Sequence, residues 1–282
     1  MKVARIGFAY NPTQEPTVEL AARASGWCRM RDIEDWQSPA GDSKTLLREL
    51  ASTDVLVVLG GDGTFLRAAR AVAEVDVPIL GINLGKVGFL SKAEAADLES
   101  VLERIVAGEF TFDERMVIEG RILRGGGASE QAERHIALND IVVARGALAR
   151  VCRLDVSIDD THLATFIADG LVVASPTGST GYSFSAGGPI LDPVSRNLVV
   201  TPIAAYLSAI RSVVVSPQQT VRCTVVDAHE ALVSVDGRED IPVRVGDVVE
   251  VHAVERPIRL IEPEGAQPFW DLLRHKVALL PS

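Results

Sequence analysis

The chain has 282 residues, of which 47% are hydrophobic, and its formal net charge at pH 7 is −10. This length suggests about two domains with a substantial core, and the hydrophobic fraction excludes an intrinsically disordered protein. The negative charge argues against nonspecific binding to nucleic acid or anionic membrane, because both recruit basic surfaces. No apolar segment approaches the roughly 18 residues of a transmembrane helix, and the N-terminus has no signal-peptide core. We therefore expect a cytoplasmic protein without membrane or nucleic-acid partners.

The first part of the chain alternates short apolar strands with helices. This pattern predicts a Rossmann-like, doubly wound parallel sheet with crossover helices, which is an α/β domain. The last of these helices carries five apolar residues on one face and ends at Gly108. The predicted strands span residues 3–10, 55–59 and 77–82, and the predicted helices span residues 17–30, 64–74 and 95–108.

From about residue 110 the sequence changes to short β-rich runs separated by glycine and aspartate turns. Such spacing is typical of an antiparallel, β-sandwich-like domain. Residues 268–280 return to helical periodicity, and we expect this C-terminal helix to pack back on the first domain. The predicted domains are an α/β domain of residues 1–109 with 266–282 and a mostly β domain of residues 110–265.

The three cysteines, Cys28, Cys152 and Cys223, lie far apart in apolar surroundings and form no CxxC pair. We expect them to be buried thiols rather than a metal or redox site. The five histidines are scattered without HExxH spacing. The sequence therefore predicts no metal site built from protein ligands.

The most informative segment is GGDGT at residues 60–64, which follows an apolar strand and leads into a helix. A helix N-terminus at the end of a strand offers unpaired N–H groups to an anion, and glycines let a phosphate approach the backbone. A carboxylate there repels phosphate, so we expect Asp62 to take a proton from, or to orient, an attacking hydroxyl. The alternative is an ordinary tight turn in which Thr64 caps the helix.

A second glycine-rich segment follows the predicted strand 171–174. Residues 175–188 contain six Ser or Thr side chains and four glycines, and they carry no charge. Many hydroxyls and backbone N–H groups at close approach suit a polar ligand such as a nucleotide. A flexible linker is the alternative.

Three blocks in this order resemble the NAD kinase family: the GGDGT turn, Asn139-Asp140, and Asp169-Gly170 followed by SPTGSTGY at residues 175–182. The resemblance extends over nearly the whole chain, including NLGKVGFL at residues 83–90 and the C-terminal helix. The GGDGT turn alone also occurs in lipid kinases and phosphofructokinase, so the order of all three blocks carries the resemblance. It implies an NAD kinase reaction, in which the terminal phosphoryl group of ATP or polyphosphate moves to the adenosine ribose 2′-hydroxyl of NAD to give NADP.

The resemblance also implies roles for individual residues. Asp62 would be the general base, Asn139 and Asp140 would bind the adenosine half of NAD, and Asp169 would bind the nicotinamide half. Mg²⁺ would be held mainly through the phosphoryl donor, and the protein would be a homodimer or homotetramer. The other implied nucleotide-binding residues are Gly61, Gly63, Arg67, Phe89, Arg150, Thr177, Thr180, Gly181, Tyr182, Ser183, Phe184 and Ser185.

The chain departs from the usual family pattern at a few of these positions. Asp140 stands where Glu is commoner, and Gly181 replaces the frequent Ala, which widens the expected pocket by one methyl group. Arg238 stands where many members have Gln. Ile167 lacks the polar character that some members show two residues before the Asp-Gly pair.

Simpler interpretations of the single motifs stay open. Taken alone, Asn139-Asp140 is typical of a β-turn, and Asp169-Gly170 of a hairpin turn. Arg67 is more typical of a solvated helix side chain than of a phosphate ligand. Two other functions also stay open, namely a lipid kinase built on the same GGDGT turn and a noncatalytic regulator that binds NAD.

Overall fold

The computed structural model describes residues 3–85, 88–126, 132–146, 151–238 and 240–278, with the side chains of residues 277 and 278 left aside. The chain divides into two compact units. The first contains the residues up to Glu114 and those from Ile258 onward, and the second is Arg115–Pro257.

The first unit is built on a seven-stranded sheet with helices. Its elements are β1 (Arg5–Tyr10), α1 (Glu15–Arg29), β2 (Glu34–Pro39), α2 (Ser43–Leu50), β3 (Val55–Leu59), α3 (Asp62–Glu74), β4 (Ile79–Asn83), β5 (Ala93–Glu94), α4 (Leu98–Ala107), β6 (Phe110–Arg115), β19 (Ile258–Pro263) and α6 (Phe269–Ala278). The strand order is β2-β1-β3-β4-β19-β6, with β5 beside β4. Strands β2, β1, β3, β4 and β19 pair in parallel, which confirms the predicted doubly wound sheet.

The helices of this unit begin and end for local reasons. Helix α4 ends at Gly108, which adopts the left-handed conformation (φ 79°) that glycine allows. Helix α3 places Phe65, Ala68 and Val72 against the sheet. All five residues of β3 are buried, as expected of a central parallel strand covered on both faces. This central strand leads directly into the GGDGT turn.

The second unit contains two six-stranded sheets of antiparallel pairs that share one hydrophobic core. One sheet has the order β11-β10-β15-β18-β7-β8 and the other β14-β13-β12-β9-β16-β17, which confirms the predicted mostly β architecture. The strands are β7 (Ile118–Leu123), β8 (Glu133–Ala137), β9 (Asp140–Arg145), β10 (Cys152–Ile158), β11 (Thr161–Ala168), β12 (Gly170–Ala174), β13 (Leu198–Ile203), β14 (Val213–Val215), β15 (Val221–Asp227), β16 (Ala231–Val235), β17 (Ile241–Val243) and β18 (Val248–Ala253), with one short helix, α5 (Tyr182–Ser185).

The units differ from the predicted domains in their bounds. Strand β6 lies in the first sheet, and Leu260 of β19 pairs in parallel with Ile79 of β4. The stretch from Ile258 therefore belongs with the first unit, although the sequence placed residues 110–265 together. No described helix has the length and apolar character needed to cross a bilayer.

Candidate functional site

The GGDGT turn joins β3 to α3, and the helix begins two residues earlier than predicted. Gly61 is the N-cap, Asp62 is the first helical residue, and the Thr64 amide donates to the Gly61 carbonyl at 2.8 Å. Thr64 therefore lies inside the first turn and does not cap the helix. Of the glycines in the turn, Gly60 has a positive φ (147°), whereas Gly61 and Gly63 do not. A side chain at Gly60 would also lie only 2.8 Å from the Thr64 Oγ1.

The start of α3 presents backbone donors. The amides of Gly61, Asp62 and Gly63 donate no hydrogen bond to another described residue, as is usual for the first turn of a helix. The helix dipole adds partial positive charge at the same place. Arg67 is half-buried four residues after Gly63 and so lies on the same face of the helix. This end of α3 is suited to bind phosphate.

The Asp62 carboxylate is held by the backbone of a second loop. Its Oδ2 accepts the Phe89 amide at 3.1 Å and its Oδ1 accepts the Leu90 amide at 3.3 Å. A Cβ on Gly88 would overlap Oδ1 and lie 2.7 Å from the carboxyl carbon. Position 88 must therefore be glycine for Asp62 to occupy this place, a requirement that the sequence alone did not reveal.

Phe89 forms part of an aromatic cluster beside this loop. Its ring lies 5.9 Å from the ring of Phe269 in α6, and the Lys276 Nζ lies 5.1 Å from the Phe89 ring centroid. Phe269 also packs edge-on against Trp270 at 5.0 Å. Phe89 is thus fixed as an apolar surface next to the amides that hold Asp62, and α6 packs within the first unit as expected.

In the second unit, the Asn139-Asp140 segment links β8 of one sheet to β9 of the other. It is therefore not a turn between two paired strands. The Asp236 carboxylate accepts the amides of Leu138, Asn139 and Asp140 at 3.1, 2.8 and 3.2 Å. This contact fixes the backbone of the segment, and Asp236 was not identified from the sequence.

Asp140 itself is buried, with 6% of its surface exposed. Burial raises the pKa of its carboxyl group to about 7, and the negative charge of Asp236 contributes in the same direction. Its Oδ2 lies 3.9 Å from the position that a Cβ on Gly181 would occupy. The fold therefore brings Asp140 and the 177–181 turn together, as the resemblance implied.

The hydroxyl-rich segment uses three of its serines for its own structure. Ser175, Ser179 and Ser183 are fully buried. Their hydroxyls bond to the Leu138 carbonyl, to the Pro176 carbonyl at 2.6 Å and to Thr201 at 3.1 Å, respectively. These bonds and buried positions describe an ordered scaffold rather than a flexible linker.

The remaining side chains of this segment differ in exposure. Tyr182 and Phe184 are 47% and 44% exposed on the short helix α5, and Ser185 is exposed beside them. The Thr180 hydroxyl donates to the Thr177 carbonyl at 3.2 Å. These side chains can face a ligand, whereas Ser183 points to the core.

Thr177 has a buried cation beside it. The Arg115 Nη1 donates to the Thr177 Oγ1 at 3.4 Å, and Arg115 is 2% exposed. The sequence did not single out Arg115, because an arginine at the end of a β-strand is ordinarily solvated.

Asp169 lies where the chain passes from β11 to β12, and these strands belong to different sheets. The hairpin interpretation of Asp169-Gly170 is therefore excluded. Asp169 forms a bidentate ion pair with Arg145. The Asp169 Oδ1 lies 2.7 Å from the Arg145 Nε, and the Asp169 Oδ2 lies 3.2 Å from the Arg145 Nη2. A Cβ on Gly170 would lie 2.5 Å from the Val143 carbonyl oxygen. Arg150 lies outside the described residues.

Comparison with known proteins places this arrangement in a family. Residues 5–110 match the family model described as the ATP-NAD kinase N-terminal domain, and residues 138–263 match the ATP-NAD kinase C-terminal domain. A relative from Heliobacterium modesticaldum named NAD kinase is 40% identical over 96% of this chain and 98% of its own length. Another NAD kinase, from Moorella thermoacetica, is 44% identical over 81% of this chain and 72% of its own.

Solved structures agree. An NAD kinase from Archaeoglobus fulgidus in complex with ATP superposes with a TM-score of 0.76 at 25% identity, covering 98% of this chain and all of that one. Yeast NADH kinase complexed with NADH shares the fold, with a TM-score of 0.84 at 24% identity, over 99% of this chain and 88% of the yeast chain. The matched domains and the close relatives over nearly the full length show that the chain belongs to the NAD kinase family of phosphotransferases.

Proposed function

We propose that the protein transfers the terminal phosphoryl group of ATP to the 2′-hydroxyl of the adenosine ribose of NAD, giving NADP and ADP. The observation that carries this proposal is the Asp62 site. A carboxylate fixed by two backbone amides lies at a helix N-terminus whose first N–H groups have no partner among the described residues. The family match and the ATP bound to the related Archaeoglobus fulgidus enzyme support ATP as the donor.

In the proposed reaction, Asp62 accepts a hydrogen bond from the attacking hydroxyl and receives its proton. The transition state of phosphoryl transfer is loose, so the proton leaves late and orientation of the nucleophile matters as much as basicity. The Phe89 and Leu90 amides hold the carboxylate in one place, which supports an orienting role. The unpaired amides at the start of α3, with Arg67 on the same helix face, would bind phosphate oxygens.

The dinucleotide roles follow the family resemblance and the observed surfaces. Asn139 and Asp140 would bind the adenosine half of NAD, and Asp169 would bind the nicotinamide half. Thr177, Thr180 and the exposed ring of Tyr182 would line the adenine and ribose pocket, together with Gly181, Phe184 and Ser185. Ser183 would not contact the nucleotide, because its hydroxyl is buried and hydrogen-bonded to Thr201.

A divalent cation is part of the proposal. The described residues contain no group of three or more potential metal ligands. Mg²⁺ keeps several waters and is commonly held through substrate phosphates, so it would enter the site bound to the phosphoryl donor. Mg²⁺ bound to the donor would neutralise phosphate charge that the chain itself, with its net charge of −10, does not.

Product analysis tests the proposal against its two rivals. The protein is incubated with Mg-ATP and either NAD, diacylglycerol or sphingosine, and NADP is measured with an NADP-specific dehydrogenase. We expect NADP in the first reaction and no phosphorylated lipid in the others. Thermal stabilisation by NAD without ATP consumption would instead indicate a noncatalytic regulator. Parallel reactions with other nucleoside triphosphates and polyphosphate identify the donor.

Assembly and location complete the proposal. The family resemblance supports a homodimer or homotetramer, which sedimentation velocity would test. Cys28, Cys152 and Cys223 are all buried and free, which supports a reducing compartment such as the cytoplasm. Fractionation of cells that express the protein would test the location.

A further inference from the structure

Asp236 occupies an unusual backbone position at the end of β16. Its φ is 51°, and that of the following Gly237 is 68°. Residues other than glycine rarely adopt positive φ, although Asp and Asn tolerate it better than most. Such conformations persist where the surrounding contacts fix them, and they are concentrated at functional sites.

Asp236 is hydrogen-bonded to three successive residues, Leu138, Asn139 and Asp140. Its Oδ1 accepts the amides of Asn139 and Asp140, its Oδ2 accepts the Leu138 amide, and its own amide donates to the Asp140 carbonyl at 3.0 Å. Strands β16 and β9 are neighbours, with Val235 opposite Ile141. A single carboxylate thus holds three successive amides, two of which belong to the segment proposed to bind adenosine.

The same contact places two carboxyl groups close together. Asp140 is buried, and no hydrogen bond from a described residue reaches its carboxylate. Asp236 is the charged group whose field acts on it. The end of β12 and the turn after it contribute Thr177 and Gly181 on this side, and Tyr182 follows Gly181 in the sequence. Arg115 approaches through Thr177.

We propose that Asp236 is a positioning residue of the dinucleotide site, which fixes the Asn139-Asp140 backbone and, through its charge, controls whether Asp140 accepts or donates a hydrogen bond toward the ribose. This inference rests on the proposed function, because it assumes that Asp140 binds the adenosine half of NAD. It adds a residue that has no contact of its own with the nucleotide.

The inference predicts a specific pH dependence of NAD binding. Burial and the Asp236 charge raise the pKa of Asp140 to about 7. The ionised carboxylate accepts hydrogen bonds from ribose hydroxyls, whereas the protonated group has lost part of this capacity. NAD affinity should therefore fall as pH drops below about 7, by up to tenfold per pH unit.

The test measures the dissociation constant of NAD by calorimetry between pH 5.5 and 8.5, without a phosphoryl donor. Asp236→Asn keeps an acceptor oxygen for the Asn139 and Asp140 amides but removes the charge. We expect its acid midpoint to lie about one pH unit below that of the wild type, because a nearby like charge has been removed. Asp236→Gly, which suits the positive φ, should shift the midpoint the same way and also weaken binding at pH 8.

Asp159→Asn is the matched control. Asp159 also has a positive φ (52°), and its carboxylate accepts the Thr220 amide at 2.9 Å, but it lies in the β10–β11 turn. Its variant should keep the wild-type midpoint. An unchanged midpoint in both Asp236 variants, or wild-type affinity that is constant over this pH range, would overturn the inference.

A different result would contradict the proposed function instead. If the wild type binds no NAD at any pH, Asp140 has no ribose to bind and the nucleotide roles fail first. The coupling between the two carboxyl groups is then measured by ¹³C NMR of labelled aspartate in the free proteins. A lower Asp140 midpoint in Asp236→Asn than in the wild type upholds the coupling, and equal midpoints refute it.

Discussion

Two glycine-rich segments, one in each unit, differ in whether their polar groups are already hydrogen-bonded. The GGDGT turn leaves the amides of Gly61, Asp62 and Gly63 without described partners, at the start of a long helix. In the hydroxyl-rich segment after β12, the hydroxyls of Ser175, Ser179 and Ser183 are buried and already hydrogen-bonded within the second unit. Open backbone donors are available to a ligand, whereas satisfied ones only shape the surface that a ligand meets.

The difference follows from what surrounds each turn. Helix α3 cannot supply partners to its own first amides, so those donors stay open. The second segment instead packs against the Asn139-Asp140 segment so closely that a side chain on Gly178 would overlap the Asn139 carbonyl oxygen. We therefore expect substitutions in the first turn to change the rate of the chemical step. Substitutions around the second turn should change nucleotide binding and stability.

The sharpest test of the first turn is Asp62→Asn. We expect kcat to fall by roughly 10²–10⁴-fold, because an amide cannot take up the hydroxyl proton and orients it less well. The dissociation constant of NAD should change little, since the role proposed for Asp62 is exerted mainly in the transition state. Initial rates and calorimetry measure the two quantities. Wild-type turnover in this variant would remove Asp62 from the chemistry.

Gly88→Ala should come next in size. The added methyl would overlap the Asp62 carboxylate and displace it. Displacement of a catalytic group by about 1 Å lowers kcat by roughly 10²-fold. Kinetics at saturating NAD and ATP measure the effect.

Two comparisons separate this effect from a general disturbance of the loop. Gly85→Ala is the matched control, because a Cβ there meets no atom of the described residues within 4 Å, and it should keep wild-type kcat. In an Asp62→Asn background, Gly88→Ala should cost much less than in the wild type, since both substitutions act on one carboxylate. Equal losses in the two backgrounds would show that Gly88 acts elsewhere.

The third prediction concerns stability and the second turn. The raised pKa of Asp140, about 7 against an ordinary 3.8, means that the folded protein keeps a proton that the unfolded chain has lost. The stabilisation that the folded protein gains from this bound proton is fully present below pH 3.8, and it is lost as the pH rises through 7. Asp140→Asn cannot ionise, so its free energy of unfolding relative to wild type should rise between pH 5 and pH 8. The expected gain is on the order of 2 kcal/mol.

Urea unfolding at pH 5, 7 and 8 measures this gain. Asp227→Asn, at an exposed position at the end of β15, is the control and should show no such trend. A difference between Asp140→Asn and wild type that is independent of pH would mean that Asp140 does not titrate in this range. The buried carboxyl pair would then not be the origin of the pH dependence proposed for NAD binding.

Much of the fold could be predicted because it depends on local patterns. The buried run of β3 and the glycine that ends α4 are visible in a short window of sequence. Strand β2 (EDWQSP) was missed because it is a polar edge strand without an apolar run. The place of β19 in the first sheet was missed as well, since it depends on pairing with β4, far earlier in the chain.

The same holds for the candidate site, in which local features could be predicted from the sequence and contacts between distant residues could not. Asp62 stands out because its strand, turn and helix are contiguous in sequence. Gly88 and Asp236 do not stand out, since their roles depend on partners at a distance: the Phe89 amide reaches Asp62 across 27 residues, and the Asp140 amide reaches Asp236 across 96. A glycine before an aromatic residue, or an Asp-Gly turn, is too common to indicate such a contact by itself.

The smallest expected effect is that of Gly181→Ala, which introduces the residue that is frequent at this position in the family. Its Cβ would lie 3.3 Å from the Gly178 carbonyl oxygen and 3.9 Å from the Asp140 Oδ2. The first contact is tight and the second ordinary, so we expect KM for NAD to rise by only about 2–5-fold, with kcat unchanged. Steady-state kinetics with NAD varied at saturating ATP measure it.

The double variant Asp140→Glu with Gly181→Ala tests whether positions 140 and 181 contact the same part of the nucleotide. The short Asp140 carboxylate and the missing methyl group at Gly181 could compensate for each other in one pocket. In that case the effects of the two substitutions should be non-additive. The KM for NAD of the double variant should then be closer to the wild-type value than the sum of the single effects predicts. Additive effects would mean that position 181 and position 140 contact different parts of the nucleotide. The segment after β12 would then have to bind NAD through groups other than those beside Asp140, and its contrast with the GGDGT turn would weaken.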